Sequence, residues 1–506
     1  MKFLTIFLSS IIFLKLQAQP SLTITNFGAM ADGKTINTKF IQSAIDSCNK
    51  IGGGTVYIPS GVFMTGFIQL RSNVQIYLAA GAVLKGSASV ADYTVGKSVK
   101  GMFYGEDLVN VSFAGEGEIN GNSDAFFNVA KQHNYIDFDK HFVRQGQAFF
   151  DALLPADGPV FYAARPDMTL VIMHSQQIKI TGIRFVNAPS WTMRIGDCED
   201  VLIDGISIAN NPLIPNSDGI HLTTSRLVRV ANCNIIAGDD ALIVTGFGDD
   251  INMDNASDGK VKKTYQYGNK TGIAENIVAT NCIFKSNSAG IRVGYGKGNM
   301  RNLIFSNIII HQSNRGVLIN TREEGSVDNV LFNNFIINAK HLGGTWWGRG
   351  EPIHISSYPI SKGINNGTIS NIRFSNMHIV AETGIVVWAN EMGKVKNLTF
   401  DNLSIKINNS NYVTAFGGNI DLRPTTDIAT NIFKRDLPAF LLYNVDGVKL
   451  KTVSNIFNGK MPAFYTYGLE VADSKNVVIN DCDFTPASNV FVPVFIHKSL
   501  PVKLKK

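Results

Sequence analysis

Leu303–Ile310 reads LIFSNIII and Val330–Ile337 reads VLFNNFII, and these two phrases decide the fold because their pattern returns along most of the chain. Each phrase is apolar at positions 1, 3, 6 and 8, with Asn at position 5. It occurs upstream as IKITGIRF from Ile178, VLIDGISI from Val201, VRVANCNI from Val228 and IVATNCIF from Ile277. Downstream it returns as IRFSNMHI from Ile372, LTFDNLSI from Leu398 and VVINDCDF from Val477. Spacings of 23, 26 and 27 residues dominate, a period that marks a solenoid.

The phrase has a direct physical reading. Positions 1 and 3 point inward by strand alternation, Asn or Gly at position 5 takes a bend that other residues resist, and positions 6 and 8 resume the inward face. Stacked coils would align Asn232, Asn281, Asn307, Asn334, Asn376 and Asn402 into an amide ladder. The fold expected is all-β, a right-handed parallel β-helix with a groove on one face. Ahead of the repeat, Lys39–Asn49 places Phe40, Ile41, Ala44, Ile45 and Cys48 at helical spacing, and Gly52-Gly53-Gly54 stops it. A short helix there would cap the open end of the stack, where bare strand edges template aggregation.

Composition agrees with one long β-structure. Of the 506 residues 45% are hydrophobic and 17% charged, and no stretch reads as a linker, so residues 19–506 are expected to form a single domain. Residues 1–18 are set apart as a secretory signal: Lys2, an apolar run, and a small residue at Ala18 marking the cleavage point. The run is too short for a membrane span and Lys15 interrupts it, so an exported protein without a membrane span is expected. The five cysteines, Cys48, Cys198, Cys233, Cys282 and Cys482, are widely spread and odd in number, which reads as buried thiols, with a Cys233–Cys282 bridge left open. Net charge is +6, and no basic run with interleaved aromatics points to nucleic acid.

Against this apolar background Asn216–Val244, NSDGIHLTTSRLVRVANCNIIAGDDALIV, places Asp218, Asp239 and Asp240 where buried strand is expected. A carboxylate in such a setting is costly unless it is paired or used. The 21 residues between Asp218 and Asp239 are about one coil, so the two would lie on neighbouring coils, roughly 4.8 Å apart along the stack. Carboxylates that close split their pKa values into an acid and bases. Hydrolysis of a glycosidic bond needs such a set, at about 6.5 to 9.5 Å for inversion or about 5 to 5.5 Å for retention. The alternative is a Ca2+ site or a stabilised Asp turn. The acidic stretch Asp249–Gly259 fits an EF-hand poorly, lacking Gly at its sixth position and Glu at its twelfth. Lys260, Lys262 and Lys263 beside it read as solvated loop.

The chain resembles glycoside hydrolase family 28, the polygalacturonase and rhamnogalacturonase family. FGAMADGKT and GGGTVYIPSGVFMTG resemble its N-terminal pattern, and NSD (Asn216 to Asp218) and GDD (Gly238 to Asp240) match its Asn-Thr-Asp and Asp-Asp motifs at the family spacing. The resemblance implies a β-helix and an inverting mechanism without metal or other cofactor. It implies Asp239 as general acid, with Asp218 and Asp240 positioning and activating water. The partner implied is a polysaccharide or oligosaccharide, met by a monomer.

Two family motifs are altered. Where relatives have Gly-His-Gly this chain reads SAGIRVG, with Ala289 in the His position. Where they have Arg-Ile-Lys, which grips the galacturonate carboxylate, it reads Leu318-Ile319-Asn320. The expectation therefore moves from plain polygalacturonase toward a relative cutting another linkage or sugar. Candidate substrate contacts are Asn216, His221, Arg292, Tyr295, Asn320, Arg322 and the Trp346–Trp347 pair, with Trp191 as a further aromatic on which a sugar face can stack. Arg292 and Arg322 read equally as surface salt bridges and His221 as a structural His. Two other classes stay open, a polysaccharide lyase on the same fold and a non-catalytic glycan-binding β-helix.

Overall fold

The computed structural model describes residues 20–132, 160–162, 164–248, 266–342 and 346–505, and in it the repeat phrase is what winds the chain. Met300–Ser313 shows how. Leu303, Phe305, Ile308 and Ile310 are buried, Ile304 and Ile309 between them are exposed, and Asn307 bends the strand at a φ of 54°. Asn enters this left-handed region more readily than other side chains because its short amide bonds locally. The predicted ladder is present: Asn307 donates to Asn281 at 3.2 Å, Asn334 to Asn307 at 2.7 Å and Asn402 to Asn376 at 2.9 Å. It is broken once, where Asn376 donates to Asn333 rather than Asn334. A second Asn column, Asn276, Asn302, Asn329, Asn371 and Asn397, sits just before position 1 with φ between 52° and 57°. Reading only the eight-residue phrase leaves this column outside the frame.

Successive coils pair in parallel register, with Leu303 opposite Ile277 on one side and Val330 on the other. The phrases stack into one long sheet, and a second sheet of 13 strands stacks beside it. The architecture is the expected right-handed parallel β-helix. Its apolar core runs unbroken from Ile24 to Phe484. Phe305, Phe332, Phe374 and Phe400 stack through it with ring centroids 4.7 to 5.1 Å apart. The capping helix, α1, is Thr38–Lys50 and buries Ile41, Ala44, Ile45 and Cys48. Cys233 and Cys282 meet on adjacent coils as free thiols, and the other three cysteines are free as well.

Seven strands of the 13-stranded sheet matter below: β1 (Ile220–Thr223), β2 (Leu242–Gly246), β3 (Ala289–Gly296), β4 (Arg315–Thr321), β5 (Ile353–Ser357), β6 (Ile385–Ala389) and β7 (Phe440–Tyr443). The signal segment 1–18, the acidic stretch 249–259 and the three loop lysines lie outside the described residues. No helix among the described residues is long and apolar enough to cross a membrane.

Candidate active site

The turns entering β1 and β2 deliver the carboxylates. Ile220 pairs with Leu242, and Gly219 N–H donates to Asp240 O at 2.9 Å, so Asp218 lies beside Asp240. The coil length here is one residue more than the interval that makes Asp218 a direct neighbour of Asp239. Asp239 sits one step along, where its own Oδ1 accepts from Asp240 N–H at 2.9 Å and Ser288 bonds its carboxylate. Asp218 and Asp240 are only 3% and 2% exposed, whereas Asp239 is partly open to solvent.

Burial and mutual repulsion set the protonation of this trio. Burial, then the charges of Asp239 and Asp240, raise Asp218 well above its usual value. Burial and Asp240 push Asp239 up to about 6, with Arg292 and backbone N–H donation opposing. Burial and the neighbouring carboxylates thus favour the protonated form of both Asp218 and Asp239. Asp240 has partners on both oxygens. Its Oδ1 accepts Ala289 N–H at 2.9 Å, and Arg292 Nε lies 3.0 Å from its Oδ2, an ion pair although the angle is not that of a hydrogen bond. β3 thus supplies a backbone donor and a guanidinium to the same side chain.

A model of the glycosyl hydrolases family 28 matches residues 48–343, more than half of the chain. The chain belongs to this family. It is 28% identical over 227 residues to a probable polygalacturonase of Vitis vinifera, covering 44% of each chain. It is 24% identical over 312 residues to an exo-poly-α-D-galacturonosidase of Dickeya chrysanthemi, covering 54% of this chain and 51% of that one. This chain therefore spans about half the length of the curated relatives it matches. Among solved structures it resembles a family 28 exopolygalacturonase of Yersinia enterocolitica, with TM-score 0.58, 18% identity, and 91% and 78% of the two chains covered. It also resembles a polygalacturonase of Erwinia carotovora ssp. carotovora, with TM-score 0.53, 16% identity, and 87% and 96% covered. At these identities the structural likeness speaks for the fold alone.

Around the family 28 carboxylates the other candidates divide. His221 is fully buried, its ring stacked 3.8 Å from Trp191, its Nε2 3.3 Å from Thr245 Oγ1 and its Nδ1 3.6 Å from Asp218 Oδ2. Burial, then Arg292 and Arg194, hold it well below its usual value, so it is a neutral imidazole packed against the trio. Tyr295 is partly exposed, with the Arg292 guanidinium 5.7 Å from its ring and Phe247 edge-on at 5.1 Å. Gly294 before it crosses so close to Asn320 that a Cβ would stand 1.8 Å from the Asn320 carbonyl oxygen. Asn216 is committed to scaffold, accepting at 3.0 Å from Arg165, which also donates to Pro189 O and Pro215 O.

Farther along the stack the expectations need revision. Asn320 is fully buried and its amide has no hydrogen-bond partner among the described residues. Arg322 is neither a groove cation nor a surface ion pair. It is 1% exposed and donates to the carbonyls of Thr321, Ser356 and Leu422 and to the Ser356 hydroxyl, and burial with Arg315 nearby lowers it to about 9. Trp346 is 4% exposed and uses its carbonyl to accept from Arg423, while Trp347 stays partly exposed with Arg423 5.7 Å from its ring. The pair is expected to contact substrate, and one of the two indoles is instead buried. Sequence reading missed Arg165, Ser288 and Arg315: Arg165 and Arg315 act on segments far away in sequence and stand in no motif, and Ser288, beside Ala289 in the altered motif, reaches Asp239 only through the stacking of adjacent coils.

Proposed function

We propose that this family 28 chain is an exported, inverting glycosidase acting on a pectic or related polysaccharide. Asp239 is the general acid: its proton passes to the leaving glycosidic oxygen while water attacks the anomeric carbon from the opposite face. Asp240, with Asp218 beside it, orients that water and takes its proton. The observation that carries this reading is the unequal trio. Asp239 is partly open and pushed up to about 6, a fit value for an acid at mildly acidic pH, whereas Asp240 is buried against Arg292. The polygalacturonase names of its relatives support a pectic substrate, and the leader-like residues 1–18 support export.

The test is reducing-sugar release from homogalacturonan, rhamnogalacturonan and neutral glycans, with the first product anomer followed by NMR. Asp239→Asn is expected to abolish release while binding persists. Turnover retained in that variant removes the acid role from Asp239, and a retained anomer removes inversion.

A further inference from the structure

His221, Ile243, Arg292, Leu318, His354, Val386 and Leu441 form one register column across β1 to β7. They alternate with the core-facing residues, so they lie on the outer side of the sheet that carries the carboxylates. Beyond Arg292 an outer face should be wet, yet Leu318, His354, Val386 and Leu441 are 3%, 0%, 2% and 0% exposed. The cover comes from two excursions out of the coil. Residues 409–438 bring in Ile420 and Leu422, each 1% exposed, on a segment held to both ends of β4 by hydrogen bonds. The turn before β5 adds Trp346 and Gly348.

This roof is pinned from below. Arg315 Nη2 donates to Asp421 O at 2.7 Å and Arg322 Nη2 to Leu422 O at 2.8 Å. Asp421 accepts from Arg423 through both oxygens, at 3.0 and 2.7 Å, and from Gly348 N–H at 2.9 Å, which ties the two excursions together. Arg315 pairs in register with Ala289, which itself donates to Asp240. The pinning residue is therefore two coils from the catalytic carboxylates, roughly 10 Å along the stack.

We propose that this roof makes the site blind on its C-terminal side, so that the enzyme works on polysaccharide from a chain end and releases one short product. A polymer lying across the strands meets the roof about two coils past Asp240 and cannot run through. Arg315, Arg322 and Arg423 are positioning residues: they act on substrate only by holding the roof down. The inference rests on the glycosidase reading above.

The full-length enzyme is tested on homogalacturonan, or on rhamnogalacturonan if only that is hydrolysed, with products sized at low conversion. One short product above uncut polymer, with little loss of viscosity, is expected. A ladder of intermediate sizes overturns the proposal. Oligomers carrying a bulky tag at one end or the other give a second arm: one tag position should stop hydrolysis, and cleavage of both tagged forms at the untagged rate also overturns it. Absence of hydrolysis on every polymer removes the underlying glycosidase reading, an outcome distinct from either ladder or tag results.

Discussion

Replacing Asp239 by Asn should make the protein more stable at neutral pH as it destroys turnover. In the folded chain Asp239 keeps its proton up to about 6, whereas once unfolded it returns to its usual 3.8. Between those values the unfolded state binds fewer protons than the folded one, so stability falls as pH rises through the window and stays lower above it. A difference of about two units at 1.36 kcal/mol each is about 3 kcal/mol at neutral pH, and solvent access to Asp239 trims it toward 2. Asn has nearly the same shape, keeps an oxygen for the Asp240 N–H, and carries no charge to desolvate. Unfolding entropy of about 2.1 cal/mol/K per residue over 506 residues is about 1 kcal/mol/K, so the gain corresponds to about 2 to 3 °C. Large β-structures unfold irreversibly, so apparent midpoints of parent and variant are compared at one heating rate. The variant should melt higher at pH 7.5, with the gap closing toward zero near pH 4. A gap that does not change with pH, or a parent that melts higher at pH 7.5, refutes the electrostatic account of the trio.

Removing the cation should do the reverse. Arg292→Met leaves Asp240 buried with only the Ala289 N–H, and breaking a buried pair this way costs about 3 to 5 kcal/mol, read as a drop in apparent midpoint. In whatever activity remains, the alkaline limb should move to higher pH, because Arg292 is one of the groups holding Asp239 down; an unmoved limb would separate Asp239 from that limb. In the scaffold, Asn307→Ala forces a non-Asn side chain into a φ of 54° and breaks two amide bonds, costing about 1 to 2 kcal/mol in the backbone alone. Asn307→Gly should melt above the Ala variant, since it keeps the left-handed conformation and loses only the ladder.

The fold was legible because a solenoid repeats its own reasons. One phrase with apolar positions 1, 3, 6 and 8 fixes inward faces, and the Asn, Gly or Asp at position 5 fixes the bend, so nine copies carry the same instruction. The carboxylates were legible for the opposite reason, as charges interrupting an apolar pattern. Register was legible only to within a residue: 21 positions separate Asp218 from Asp239, but the coil pairs Asp218 with Asp240, and no local signal states which turn carries the extra residue. Arg322 misled because an arginine in sequence advertises its charge and hides its donors. Its Nη1 and Nη2 groups donate to three backbone carbonyls and the Ser356 hydroxyl, which lets it sit buried as a clamp.

A β-helix assembles its site from columns, and this explains how the family pattern can change at Ala289 while a cation stays at the trio. The residue stacked beside Asp240 in the next coil has only a methyl group, and it contributes its backbone N–H instead of a side chain. Three residues later on the same strand Arg292 brings its guanidinium to the free oxygen of Asp240. Across the next coil Arg315 occupies the Ala289 column and turns to the roof and Glu351, 3.3 Å away. One column thus passes from carboxylate to backbone donor to roof clamp in three successive coils. Changing the substrate in such a fold requires no change in the carboxylates, only in which coil of a column holds the cation and which holds the cover.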